Sequence, residues 1–343
     1  MEKDNILKEC YPFLIPHAIV SLLLCCGNPL TCINKHQHSM SQFSRRTFLQ
    51  SAAALLVVPL AGKATVINKK KPLLSFSTLG CPDWSFAEIT DFAAKHNYSG
   101  IEIRGIQRQM DLPLCPEFNT AQNRNATMSL MKDKGLRFID LGSSSNLHTI
   151  EATERKKQLD DAKKFIDLAH QIDCPYIRVF PNNLPKNQEK NATIDLITKG
   201  LIELGGYAKG SNVTVLMETH GDLVQSSDVL NIMKQAASSN TGLIWDVTNM
   251  WSVTKESPSV VYERLKPYIR HTHIKDAKLV NEKIEYCFLG KGEVPIFEAI
   301  DLLAKGGYEG YFSFEWEKLW HPELADPATA IADYVEAMKT HFG

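Results

Sequence analysis

From residue 73 onward the chain repeats one phrase eight times: a short run of β-branched and aromatic residues, a few polar residues, then a stretch of helical period. The strand-like runs are 74–78, 100–103, 137–141, 176–180, 214–218, 243–246, 271–274 and 311–314. Helical stretches fall between them at 86–96, 121–134, 154–171, 195–209, 228–238, 259–265 and 295–305, and 327–342 closes the chain. Strands separated by a helix run parallel, because a parallel connection needs a crossover of about a dozen residues or more. Eight such units in about 270 residues is the size of a (β/α)8 barrel. The competing arrangement, a doubly wound open sheet, often carries a GxGxxG or Walker loop after a strand, and neither motif is present here. The expected fold is therefore a single-domain α/β barrel.

The whole chain has 343 residues, of which 44% are hydrophobic and 22% charged, enough apolar side chain to bury a full core. That composition excludes a disordered chain, a fibrous repeat and a multi-span membrane protein. A formal net charge of −1 gives no bulk attraction to nucleic acid or an anionic membrane. The 8 cysteines show no CxxC and no zinc-finger spacing. Cys81, Cys115, Cys174 and Cys287 are expected to be unpaired, mostly packed thiols.

The segment ahead of the repeats reads differently. Ser44-Arg45-Arg46-Thr47-Phe48-Leu49-Gln50 is followed by a short apolar stretch and small residues ending at Ala64, the layout of an export signal. It resembles a twin-arginine signal, whose receptor reads the paired Arg and the Phe-Leu after them. The apolar run is shorter than a membrane span. The expected division is an upstream extension over 1–39 with Met40 as the true start, a cleavable signal over 40–64 and the barrel over 65–343. The resemblance implies passage through the twin-arginine translocation machinery to the periplasm, with no stable membrane span in the mature protein. Residues 65–343 carry 32 Lys and Arg against 36 Asp and Glu, a net of −4.

In a parallel barrel, functional groups gather at the C-terminal ends of the strands. Reading those ends gives Glu218, Asp246, His273 and Glu315, at steps of 28, 27 and 42 residues, close to one repeat each with a longer last loop. Four such side chains on adjacent strands would meet above the barrel axis. Three carboxylates and an imidazole suit Mn²⁺, Co²⁺, Mg²⁺ or Zn²⁺ better than a thiolate-seeking metal. Burying three acids together also demands a cation or shared protons. Each acid alone has a duller reading, as the cap of the helix that follows. Glu102, Arg178, His220, Asn249 and Lys275 are further candidates, placed to hold substrate oxygens or to form structural ion pairs. Trp84, Trp251, Trp316 and Trp320 are candidates for an aromatic platform or for loop packing.

These residues resemble the xylose isomerase-like TIM-barrel superfamily, the sugar phosphate isomerase/epimerase family, over 73–342. The resemblance rests on Glu at the fifth strand, Asp at the sixth, the His273-Ile274-Lys275-Asp276 phrase at the seventh and Glu at the eighth. It extends to the Gly-rich turn Leu289–Val294 and to the second strand, Gly100–Arg104, whose acid points into the site. It implies one divalent metal ion on Glu218, Asp246, His273 and Glu315, with His271 as the alternative imidazole. Many members place a His three residues after the strand-six Asp, but this chain has Asn249, which cannot carry a proton at neutral pH. That departure argues for one metal and against an endonuclease IV-type nuclease.

The implied chemistry is proton transfer beside a carbonyl through a metal-stabilised enediolate, with Glu218 and Glu315 as the bases on opposite faces. The outcome would be isomerisation or epimerisation of a small-molecule sugar. Loss of a β-hydroxyl from the same intermediate would make the protein a dehydratase, and a non-catalytic exported sugar-binding barrel is a further alternative. Export favours an unphosphorylated sugar or keto-sugar. A homo-oligomer is compatible with the sequence, which does not specify one.

Overall fold

Every strand-like run joins one closed parallel sheet. The computed structural model describes residues 71–343, so the proposed extension and export signal lie outside the described residues. The barrel strands are β1 (Leu73–Ser77), β2 (Gly100–Ile103), β3 (Arg137–Asn146), β4 (Tyr176–Phe180), β5 (Thr214–Glu218), β6 (Thr241–Asp246), β7 (Ile269–Ile274) and β10 (Tyr311–Phe314). They follow in sequence order around the ring, and β1 closes it by pairing with β2 on one side and β10 on the other. Outside the barrel, β8 (Asp276–Val280) and β9 (Lys283–Cys287) form an antiparallel hairpin.

The outer layer is α1 (Phe86–Lys95), α2 (Ala121–Asp133), α3 (Ala152–Gln171), α4 (Lys190–Tyr207), α5 (Ser226–Gln235), α6 (Val247–Thr254), α7 (Pro258–Leu265), α8 (Ile296–Lys305) and α9 (Pro327–Phe342). Local signals start several of them. Ser85 and Glu88 form a reciprocal capping box at α1, and Asp326 with Pro327 opens α9. In α8 the buried residues Ile296, Ala299, Ile300 and Leu303 recur at the helical period and lay one apolar stripe on the sheet.

Strand alternation then separates two interiors. Ile101, Ile103, Leu141, Ile177, Val179, Val215, Met217, Leu243, Trp245, Ile274, Phe312 and Phe314 belong to the apolar core shared with the helices. Their chain neighbours Glu102, Asp140, Arg178, Glu218, Asp246, His271, His273 and Ser313 are equally buried but polar. A barrel lumen is ordinarily filled by branched apolar side chains. The polar filling here marks the interior as more than scaffold. Among the described residues no helix is long and apolar enough to cross a membrane. Cys81, Cys115 and Cys174 are buried free thiols, and Cys287 is half-buried and free.

Two elements depart from the sequence expectation. Where one helical stretch was expected at 259–265, the chain forms α6 and α7 in succession. Asp246 caps α6, Lys255 ends it in the left-handed region at φ 56°, and Pro258 begins α7. The second departure is the β8–β9 hairpin, which occupies the long step between the seventh and eighth barrel strands. Asn281 and Glu282, at φ 51° and 63°, make its two-residue turn.

The Gly-rich turn has a local cause. Asp276 Oδ2 accepts from the amides of Gly290 at 2.8 Å and Gly292 at 2.9 Å, while Oδ1 accepts from Ala277 N at 2.8 Å. A Cβ on Gly292 would lie 2.0 Å from Asp276 Oδ1 and 2.4 Å from Ala277 O. Gly292→Ala should therefore break this carboxylate-centred turn and cost about 1–3 kcal/mol, the usual penalty of overpacking. A denaturation midpoint equal to that of the unchanged protein would show that the turn yields freely.

Candidate active site

The ends of β5, β6, β7 and β10 bring four side chains to one point. Ligand atoms of Glu218, Asp246, His273 and Glu315 all lie within 4.8 Å of one another, and all four residues are buried. His273 Nδ1 is 3.3 Å from Glu218 Oε1, 3.3 Å from Glu315 Oε2 and 3.9 Å from Asp246 Oδ2. Asp246 has both of its expected aspects at once. Its Oδ1 accepts the Asn249 amide at 2.8 Å and caps α6, while its Oδ2 faces the cluster and accepts no hydrogen bond. This donor set, buried and with one carboxylate oxygen met at contact distance only by the Lys275 ammonium, fits a single divalent cation.

Glu102 lies deeper than a mouth position. It is 1% exposed, and its Oε2 accepts from His271 Nε2 at 3.0 Å, His273 Nε2 at 3.1 Å and Ser313 Oγ at 3.2 Å. Strands β2 and β7 are separated by β1 and β10, so these bonds cross the lumen. They also settle the two imidazoles. His273 turns Nε2 to Glu102 and Nδ1 to the four-residue cluster, whereas His271 spends Nε2 on Glu102 and does not join that cluster. Glu102 thus orients an imidazole from behind, the position from which carboxylates commonly support a metal-binding histidine.

Arg178 donates from Nη1 to Glu218 Oε2 at 2.5 Å, and its guanidinium lies 3.7 Å from the Phe180 ring centroid. Its Nε and Nη2 are buried without partners. Asn249 reaches Glu218 Oε1 with Nδ2 at 3.5 Å, the edge of a hydrogen bond. His220 stands one layer out, with Nδ1 2.7 Å from Asn182 Oδ1 and its ring against Phe180. Lys275 is inside the cluster itself: Nζ lies 2.9 Å from Asp246 Oδ2, 2.6 Å from Glu315 Oε2 and 2.5 Å from Glu317 Oε1.

The electrostatics follow from burial and these contacts. Burial would raise Glu218, but the charges of His273 and Arg178 hold it down to about 2. Burial likewise opposes ionisation of Glu315, which His273 and Lys275 push well below the carboxylate range. Asp246 goes the other way, pushed up to about 7 by burial and the neighbouring carboxylates against the pull of Lys275. Burial would lower His273 and Lys275, yet the surrounding acids raise both well above their usual values. The fully buried Asp140 has no hydrogen bond on either oxygen, and burial beside Glu102 raises it well above the usual carboxylate range.

Sequence reasoning passed over Glu317, which lies in the loop that follows the last barrel strand. It also passed over Asp140. The tryptophans do not form one platform. Trp316 is buried and stacked on Phe314, Trp84 packs on Phe92, Trp251 carries the Lys255 ammonium over its ring, and Trp320 is exposed. The aromatic rings near the charged centre are Phe180, against Arg178, and Tyr286 of the hairpin, 5.6 Å from Lys275 Nζ.

Comparison with known proteins places this geometry. The profile of the xylose isomerase-like TIM barrel family matches residues 90–341. The uncharacterized protein YihM of Escherichia coli is 22% identical over 62% of the chain. The 3-dehydroshikimate dehydratase of Bacillus anthracis is 24% identical over 63%, and the fructoselysine 3-epimerase of Shigella flexneri is 23% identical over 47%. The chain spans 60%, 78% and 59% of the lengths of these three relatives, respectively. Two solved structures share the fold. One is the IOLI protein with a bound zinc atom, at TM-score 0.66 and 15% identity, covering 79% of this chain and 97% of that one. The other is a Mycobacterium smegmatis xylose isomerase-like TIM barrel protein in complex with magnesium, at TM-score 0.60 and 17% identity, covering 80% and 97%.

The Glu102 bridge makes a prediction for the ion-free protein. Burial opposes its ionisation, but His273 and the imidazole hydrogen bonds drive its pKa well below the usual 4.5. A depressed carboxyl stabilises the fold fully above its unfolded-state value and progressively less as the pH falls beneath it. Glu102→Gln should therefore cost about 1–3 kcal/mol at pH 7. That deficit should shrink on acidification below about pH 4.5, when melting curves of both proteins are compared across pH. A deficit independent of pH would mean that the carboxylate charge contributes nothing.

Proposed function

Because the chain belongs to the xylose isomerase-like TIM barrel family, we propose that it is a metal-dependent isomerase or epimerase of an unphosphorylated sugar or keto-sugar. The observation that carries this reading is the convergence of Glu218, Asp246, His273 and Glu315 within 4.8 Å at the strand ends. These four residues would hold one divalent ion (Mn²⁺, Co²⁺, Mg²⁺ or Zn²⁺), which when bound supplies Lewis-acid polarisation of a carbonyl. Glu218 and Glu315 are both ionised at neutral pH and flank His273, so each is competent to take a proton from the carbon beside that carbonyl. Arg178 fixes Glu218 through one nitrogen and keeps two buried donors for substrate oxygens. His220 and Asn249 would contact hydroxyls at the rim. Glu102 serves behind His273, as an orienting group.

The similarity to a dehydratase supports a second outcome, loss of a β-hydroxyl after the same proton abstraction. One experiment separates the two. Sugars and keto-sugars incubated in D₂O with Mn²⁺-loaded protein should gain deuterium beside the carbonyl by NMR, and a dehydratase would add vinylic signals. Glu218→Gln and Glu315→Gln should each lower turnover by about two to four orders of magnitude, the range for losing a general base. Wild-type turnover in both variants with metal still bound would remove the two-base mechanism.

We also propose that Arg45-Arg46 addresses the chain to the twin-arginine pathway, which supports an unphosphorylated substrate. Arg45→Lys combined with Arg46→Lys should retain the protein in the cytoplasm, because the receptor distinguishes guanidinium from ammonium. Processed double variant in a periplasmic fraction would refute this address.

A further inference from the structure

We propose that Lys275 is the resident cation of the ligand cluster and that Glu317 is the seat to which its ammonium withdraws when a divalent ion enters. The inference rests on the metal reading above. Two of the three carboxylates that Nζ touches, Asp246 and Glu315, belong to the four-residue ligand set, and the third, Glu317, does not. The ammonium therefore stands between the ligand set and an acid outside it.

Its fit to the ligand set is incomplete. Nζ donates to Glu315 Oε2 and Glu317 Oε1, but Asp246 Oδ2 accepts no hydrogen bond despite lying 2.9 Å away. A buried acid cluster without any cation would be strongly destabilising, so the ammonium serves the ion-free state. A divalent ion on Asp246 and Glu315 would repel an ammonium held at contact distance. The lysine stem is flexible, and its charge is compact, so it can move without breaking a planar, two-pronged pairing.

The surroundings set the direction of that movement. The Lys275 carbonyl accepts from Thr248 Oγ1 at 2.6 Å, so the displacement falls to the buried side chain and not to the backbone. The Glu317 side chain is 12% exposed against 4% for Glu315, so it marks the outward side of the ammonium. Tyr286 from the hairpin lies 5.6 Å from Nζ and covers that outward position. Ion loading becomes an exchange of cations, and Glu317 is a positioning residue that acts through Lys275.

Mn²⁺ titration of the chelator-stripped full chain, by calorimetry or competition with a chromophoric chelator, tests this directly. Lys275→Met should bind Mn²⁺ at least about tenfold more tightly, because the competing charge is gone. Its ion-free form should melt lower than wild type and gain more from added Mn²⁺. Glu317→Gln should weaken Mn²⁺ binding about tenfold by keeping the ammonium on Asp246 and Glu315. In the Lys275→Met background the same Glu317→Gln change should have no further effect. An equal loss in that background would make Glu317 an ion ligand and overturn the exchange, as would unchanged affinity in Lys275→Met. Should Lys275→Met fail to fold without ion, unchanged affinity in the single Glu317→Gln variant overturns it instead. A wild-type chain that takes up no Mn²⁺, Co²⁺, Mg²⁺ or Zn²⁺ ends this inference together with the proposed function. A wild type that binds beside indifferent variants ends the exchange alone.

Discussion

Three carboxylates and an imidazole buried at one point need positive charge, and most of the interior of this barrel is arranged to provide it. Glu218 takes the Arg178 guanidinium, Glu315 and Glu317 take the Lys275 ammonium, and Glu102 takes both lumen histidines. Where a partner falls short, the proton distribution responds. Asp246, the ligand whose cluster-facing oxygen lacks a hydrogen bond, is also the one raised to about 7. His273 responds in the opposite sense and is raised by the same carboxylates. A cluster that recruits protons in this way is one whose strength as a ligand set depends on which cation occupies it.

The parts of the fold outside the barrel serve the same centre. Asp246 caps α6, so the cap orients a ligand carboxylate, and Thr248 two residues later anchors the Lys275 carbonyl. Asp276 follows Lys275 immediately and holds the Gly-rich turn through the amides of Gly290 and Gly292. The β8–β9 hairpin springs from that aspartate and returns Tyr286 over the ammonium. A short phrase, His273 to Asp276, thus supplies an imidazole, a movable charge and the anchor of the loop beside both.

The barrel was legible because strand period and helix period alternate eight times, and four polar strand ends in register are hard to produce by chance. Glu218, Asp246, His273 and Glu315 could be read one repeat at a time, and the structure brings them together. Glu102 could be assigned to the second strand but not to its partners, because its contacts to His271 and His273 run across the lumen between non-neighbouring strands. Glu317 was hidden for a different reason. It follows the last barrel strand by three residues, where loop geometry and not strand period sets its direction. The hairpin was hidden in a long loop because its Asn281-Glu282 turn lacks the glycine that usually announces such a turn.

Charge accounting ties the ligand set to the kind of substrate proposed. Glu102, Glu218, Asp246, Glu315 and Glu317 are five buried carboxylates, and Arg104, Arg178 and Lys275 are three buried cations around them. Asp140 and Asp276 are buried as well, and burial raises both. One divalent ion would close much of the gap between these carboxylates and cations. Without the ion, a protonated His273 and the raised Asp246 close most of the same gap with protons. A neutral sugar would add no charge to this set, whereas a phosphorylated one would bring about −1.5 to −2 further negative charges. That difference supports the unphosphorylated substrate proposed for this site.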